Sequence, residues 1–141
     1  MLNKILIVGL PGSGKTALAK PLAAKLGAVH INADQIREEY DDWDFSNEGR
    51  LNQAYRMKYL ADGIVKAGKR CVADFVCPTQ QTRDIFDPDY MIWIDRISQG
   101  RFEDTNRVFK QPTNADMVLS DGSVEQWLSQ VVVTISVDNL F

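Results

Sequence analysis

Lys4-Ile-Leu-Ile-Val-Gly-Leu-Pro-Gly-Ser-Gly-Lys-Thr16 is the stretch on which the reading of this chain turns. Gly9, Gly14, Lys15 and Thr16 match the spacing G-x-x-x-x-G-K-[ST] of a phosphate-binding loop. The apolar run Ile5–Val8 ahead of it reads as a strand buried in a parallel sheet, and Lys15–Leu26 behind it as a helix. Glycines let such a loop turn its N–H groups inward around phosphate oxygens, and the helix N-terminus adds partial positive charge there. Gly9, Pro11, Gly12, Ser13, Gly14, Lys15, Thr16 and Ala17 are therefore the expected binding residues for ATP. Lys15 is expected to reach the β- and γ-phosphates and act in catalysis, and the Thr16 hydroxyl to sit on Mg²⁺.

Outward from this loop, the first helix carries Leu18, Leu22, Ala23 and Leu26 on one face and stops at Gly27. Pro21 lies in its middle, where it removes a backbone bond and should bend the helix. Val29–Asn32 reads as a second strand running into Asp34 and Arg37. The strand ends of an open α/β sheet are where ligands bind. Asp34 there reads either as the group that orients or deprotonates an acceptor hydroxyl, with Arg37 holding an anion, or as a helix cap beside a surface arginine. Residues 40–49, polar but with the aromatics Trp43 and Phe45, which are of the kind usually buried, read as a substrate loop. A helix follows from Arg50 to Ala67, ended by Gly68. Arg50 and Arg56 near its start suit either an anionic substrate or solvent.

Arg70 to Phe75 reads as a third strand, and Asp74 at its tip as a Walker-B-like acid helping Thr16 hold Mg²⁺, or as a capping carboxylate. Pro78 suits the first turn of a short helix over 79–86. Tyr90–Asp95 gives a fourth strand and Asp116–Leu119 a fifth. Between them, residues 96–112 hold Arg96, Arg101, Arg107 and Lys110 with Phe102 and Phe109 interleaved. That segment reads as a lid that brings Arg101 and Arg107 to the transferring phosphoryl group, or as an exposed basic loop. Ser123-Val-Glu-Gln126 is a capping box that opens a final helix with an apolar stripe from Val124 to Ile135.

With 141 residues, 45% hydrophobic and 25% charged, the chain fits one globular domain over its whole length. A net charge of -3 and a pI near 5.1 argue against nucleic acid as the main partner. Cys71 and Cys77 lack metal-ligand spacing, and His30, the single histidine, has no metal-ligand neighbours in sequence, so a metal cluster or disulfide framework is not expected. Buried thiols in a reducing cytoplasm are the default. The N-terminal apolar run is too short for a membrane span. A homodimer is compatible with the sequence. The expected fold is α/β, a P-loop domain with a doubly wound parallel sheet of about five strands.

These motifs together make the chain similar to the adenylyl-sulfate kinase (APS kinase) family over roughly residues 4 to 138. Asn32-Ala-Asp34-Gln-Ile-Arg37 resembles its Asp-Gly-Asp-x-x-Arg segment, and Phe45-Ser46 with Arg50 its Phe-Ser…Arg segment. Phe75-Val-Cys-Pro78 with Arg83 resembles Phe-Ile-Ser-Pro…Arg, and Arg101-Phe102 through Phe109 and Pro112 resembles Phe-Thr-Gly…Tyr-x-x-Pro. The resemblance implies γ-phosphate transfer from ATP to the 3′-hydroxyl of adenylyl sulfate, with Asp34 as base or orienting residue. It implies that Arg37 and Arg50 bind the phosphosulfate, that Phe45 and Phe102 sandwich the adenine, and that the Val76 backbone lines the same pocket. Gln53 falls at a family asparagine. Asn32 and Cys77 depart from the family's aspartate and serine, and the chain is shorter between Asp95 and Arg101. A polynucleotide 5′-hydroxyl or other nucleotide kinase, and a non-catalytic nucleotide-binding module, are the competing readings.

Overall fold

The structure, a computed structural model, describes residues 2–97 and 103–137. Its elements are β1 (Lys4–Val8), α1 (Lys15–Leu26), β2 (Val29–Asn32), α2 (Ala33–Tyr40), α3 (Asn47–Lys66), β3 (Cys71–Asp74), α4 (Gln80–Phe86), β4 (Tyr90–Ile94), α5 (Glu103–Val108), β5 (Met117–Leu119) and α6 (Val124–Val137). The five strands form one sheet in the order β2-β3-β1-β4-β5, and each neighbouring pair is parallel.

The two-residue period of a strand explains the layers. Ile5 and Ile7 face one side, where Leu18, Leu22, Trp127, Val131 and Ile135 of α1 and α6 cover them. Leu6 and Val8 face the other, against Ile36, Met57, Ala61 and Phe86 of α2, α3 and α4. All five β1 residues are buried, Lys4 among them, which is why Ile5–Val8 reads as an unbroken apolar run. Because β1 pairs with β3 on one side and β4 on the other, chain order reverses at its C-terminal end. The phosphate loop leaves from that point, the crevice where open α/β sheets bind ligands.

The expected strands are all present, with ends moved by a residue at most. The helix boundary after the substrate loop is different. α3 begins at Asn47 rather than Arg50, because Ser46 caps it by accepting from the Gly49 N–H at 3.1 Å. Trp43 and Phe45 are about half exposed, at 51% and 49%, so the loop before α3 displays its aromatics instead of burying them. Pro78 stands just before Thr79, which caps α4 in a capping box. The final capping box forms as expected, with Gln126 N donating to Ser123 Oγ and Ser123 N to Gln126 Oε1. Helix α1 runs unbroken through Pro21. Among the described residues, no helix is long and apolar enough to cross a membrane.

Candidate active site

The phosphate loop closes tightly over the end of β1. Ser13 N donates to Leu10 O at 3.1 Å, and the Lys15 ammonium reaches back to the same carbonyl at 3.1 Å. Gly14 caps α1 with φ 107, a left-handed conformation, and a Cβ built on it would lie 3.2 Å from the Trp127 ring of α6. The second half of the sequence thus supports the loop from below. Ser13 is fully buried, and its Oγ has no hydrogen-bond partner among the described residues.

Asp74 is the polar hub beneath the loop, 1% exposed at the end of β3. Its Oδ1 accepts from the Thr16 hydroxyl at 2.9 Å and from Asn32 Nδ2 at 2.9 Å; His30 Nε2 meets Oδ2 at 2.5 Å. Asn32 Nδ2 also donates to Thr16 Oγ1 at 3.1 Å. A buried carboxylate beside a hydroxyl, at the foot of a phosphate loop, is a hard-oxygen donor set that fits Mg²⁺. Among the described residues, no cluster of three or more His, Cys, Asp or Glu is built to hold a metal.

Asn32, not Asp34, caps α2: its side chain accepts from Gln35 N at 2.9 Å. The capping alternative for Asp34 therefore falls away. Asp34 sits exposed in the first turn of α2, at the mouth of the site. Arg37, one turn on, is 4% exposed and donates from Nη1 to the carbonyls of Asp42 at 2.9 Å and Asp44 at 3.1 Å. Burial lowers its pKa, opposed by Asp42. Its guanidinium carbon lies 4.4 Å from the centre of the Phe45 ring, and that of Arg50 lies 5.5 Å from the same ring. Arg50 also donates to Phe45 O and, at 3.2 Å, to Thr105 of α5. Gln53 is engaged at both ends, donating to Ala33 O and accepting from Arg56. Arg56 pairs with Asp42 at 2.8 Å and covers the Tyr40 ring, which makes it a brace of the substrate loop.

The far wall follows β3. Phe75, Val76, Cys77 and Pro78 leave the sheet in a turn with Cys77 at φ 45. Buried Arg83 of α4 holds that turn by donating from Nε to Cys77 O at 3.0 Å and from its other end to Lys110 O. Lys110 N donates to Pro78 O at 2.7 Å, so the chain after α5 is tied to the wall. Burial pushes both thiols, Cys71 and Cys77, up to about 12.

These parts enclose one cavity of about 480 Å³. From the loop it is lined by Pro11, Gly12, Gly14, Lys15, Thr16 and Ala17, and from the sheet edge by Asn32, Asp34 and Asp74. Arg37, Phe45, Arg50, Gln53 and Val76 line its far side. Gly9 and Ser13 shape the loop without lining the cavity. Arg107 is exposed on α5 and is not a lining residue; Arg101 and Phe102 lie outside the described residues. Sequence reasoning missed Asn32 as a cap, His30 as a partner of Asp74, and Thr105, Ala33 and Phe75 as walls. Only the capping preference of asparagine was available as a signal.

A parallel sheet of this order, with the Gly-Lys-Thr loop between its central strand and α1, defines a P-loop nucleotide-binding protein. More narrowly, the chain belongs to the AAA domain family, whose profile matches residues 5–88. It is 31% identical over 85 residues to the bifunctional enzyme CysN/CysC of Rhodopirellula baltica, a match that takes in 56% of this chain and spans about 13% of that enzyme's length. Its fold is similar to that of the Mycobacterium tuberculosis APS kinase CysC in complex with AMPPNP and APS, with a TM-score of 0.80, 19% identity, and 96% of this chain and 98% of that one covered. It is also similar to a sugar kinase of Janibacter sp., with a TM-score of 0.78, 17% identity, and 94% of each chain covered. Shikimate kinase from Acinetobacter baumannii, in complex with shikimate, aligns with a TM-score of 0.62, 20% identity, and 99% of this chain and 95% of that one covered.

Proposed function

We propose that the protein is a phosphotransferase that moves the γ-phosphate of ATP to a hydroxyl of a small anionic acceptor, with adenylyl sulfate as the acceptor of choice. The single cavity that joins the phosphate loop to Asp34 and Arg50 carries this reading. A nucleotide-binding module without chemistry has no need for a carboxylate and an arginine lining the same cavity as its phosphate loop. Similarity to APS kinases in sequence segment and in fold supports the choice of acceptor.

In this reading, the backbone N–H groups of Gly12 to Ala17 cradle the phosphates, and Lys15 leaves the Leu10 carbonyl to meet the transferring group. Thr16 and Asp74 hold Mg²⁺, which when bound offsets phosphate charge. Asp34 orients or deprotonates the acceptor hydroxyl, a role worth about 10²- to 10⁴-fold in rate. Arg50 takes the acceptor anion. Arg37 shapes its loop, and Gln53 and the Val76 backbone line the pocket. Phe45 presents a ring for the base; the resemblance assigns Phe102 the same role, and the lid reading assigns Arg101 and Arg107 the supply of positive charge to the phosphoryl group.

The test is ADP release from Mg·ATP with and without adenylyl sulfate, beside a Lys15→Ala control. Adenylyl-sulfate-dependent release that the control abolishes is the expected result. ATP binding without stimulation would shift the acceptor to another hydroxyl compound, tried first with 5′-hydroxyl oligonucleotides and nucleosides.

A further inference from the structure

His30 is the only histidine of the chain, and the phosphoryl-transfer chemistry above makes no use of it. It lies on β2, the edge strand of the sheet. The register sets Asn32 opposite Asp74 and His30 opposite Val72. His30 and Asn32 are two apart and therefore share a face, the one that also carries Val72 and α1. An edge strand covered by a helix normally spends such positions on apolar side chains. Here both positions address one carboxylate, Asn32 from directly across and His30 from the diagonal, a span of about 7–8 Å between backbones that only a longer side chain bridges.

The donors divide the two oxygens unequally. Oδ1 accepts from Thr16 and from Asn32, which uses both of its lone pairs. Among the described residues, Oδ2 accepts from His30 alone. A carboxylate only accepts, so Nε2 is the donor, and among the described residues Oδ2 has no second donor.

Resting on the phosphotransferase reading, we propose that His30 is a positioning residue: its bond to Oδ2 fixes the orientation of the Asp74 carboxylate beside Thr16, and thereby sets the metal affinity of the nucleotide complex. The role is that of a hydrogen-bond donor acting through Asp74. Outer partners of this kind, when removed, weaken metal binding by about 10- to 100-fold. Glutamine is long enough to restore the diagonal bond; asparagine is not.

The experiment titrates Mn²⁺ into the full chain with AMPPNP, followed by electron paramagnetic resonance. His30→Leu and His30→Asn should weaken Mn²⁺ binding at least tenfold, leave metal-free AMPPNP binding unchanged, and be largely rescued in His30→Gln. Wild-type Mn²⁺ affinity in the leucine variant, or a glutamine variant as weak as leucine, would overturn the role. Should the leucine variant fail to fold, the wild-type imidazole nitrogen resonances, which belong to one residue, give the answer: they should shift when Mg²⁺ joins the AMPPNP complex, and stationary resonances would overturn the proposal. Wild-type protein with no metal-dependent AMPPNP binding would instead sink the phosphotransferase reading, and His30's role with it.

Discussion

The hydroxyl of Thr16 donates to Oδ1 of Asp74 across 2.9 Å, although 58 residues separate the two in sequence. That bond ties the first turn of α1 to the end of β3. Asp74→Asn removes the negative charge and replaces an acceptor with a donor facing Thr16, Asn32 or His30. The Mg²⁺ concentration for half-maximal turnover should rise by roughly tenfold or more. Nucleotide binding measured in a chelator should change little. An unaltered Mg²⁺ dependence would remove Asp74 from the metal site.

Asp34 is free of the capping duty that would blur its test, since Asn32 holds the start of α2. Asp34→Asn should lower turnover by about 10²- to 10⁴-fold and leave both AMPPNP affinity and unfolding midpoint near wild type. Full turnover in that variant would show that the acceptor hydroxyl needs no carboxylate.

Gly49 lies in the first turn of α3 with Asp44 against it. A Cβ there would come within 2.2 Å of the Asp44 carbonyl oxygen and 2.5 Å of its carboxyl carbon. Gly49→Ala must push the 41–46 loop away, and Arg37 and Phe45 shift with it. We expect a stability loss of about 1–3 kcal/mol in urea unfolding, and a raised acceptor KM with a smaller change in kcat. An alanine variant with wild-type KM would mean the loop takes no part in acceptor binding.

Asp42 gives the same loop an acid limit. The Arg56 side chain, and then the Asp44 N–H, hold its carboxyl below the ordinary value of 3.8. As pH falls, the unfolded chain takes up this proton before the folded chain does. The stabilisation is therefore complete above 3.8 and is lost as pH drops through the lower folded value. The urea stability difference between wild type and Asp42→Asn should be steady near about pH 6 and narrow toward about pH 3.

Both cysteines are free and buried, and burial raises each thiol to about 12. An aromatic disulfide reagent at about pH 8 should find no thiol in the native protein and two after denaturation, because only the thiolate attacks. Prompt native reaction of Cys77 would reveal opening of the Phe75–Pro78 turn.

The fold was legible because its signals are local. Ile5–Val8 is apolar on both faces, Gly27 ends α1, and Ser123 with Gln126 caps α6; each acts within a few residues of itself. The phosphate loop was legible for the same reason. What stayed hidden depends on residues brought together from far apart. Gly49 read as loop because its close neighbour is Asp44, folded back over the helix start. His30 looked isolated in sequence, yet strand pairing sets it diagonal to Asp74. Arg37 and Gln53 read as substrate contacts, but their hydrogen bonds go first to the Asp42, Asp44 and Ala33 carbonyls. Pattern alone does not show whether a polar group is committed to the fold.

The strand order has a consequence for biosynthesis. Ile5 pairs with Val72 on one side and Tyr90 on the other. The first of the five strands in chain order is thus the middle of the sheet, and it waits for both flanks before its backbone is satisfied. Until the ribosome has passed Ile94, the Gly-rich turn after Val8 hangs from a strand that lacks at least one flank, and Thr16 cannot meet Asp74 before β3 exists. Nascent chains shorter than this should ignore ATP, and the nucleotide should act as a late clamp that selects chains whose central pairings are complete.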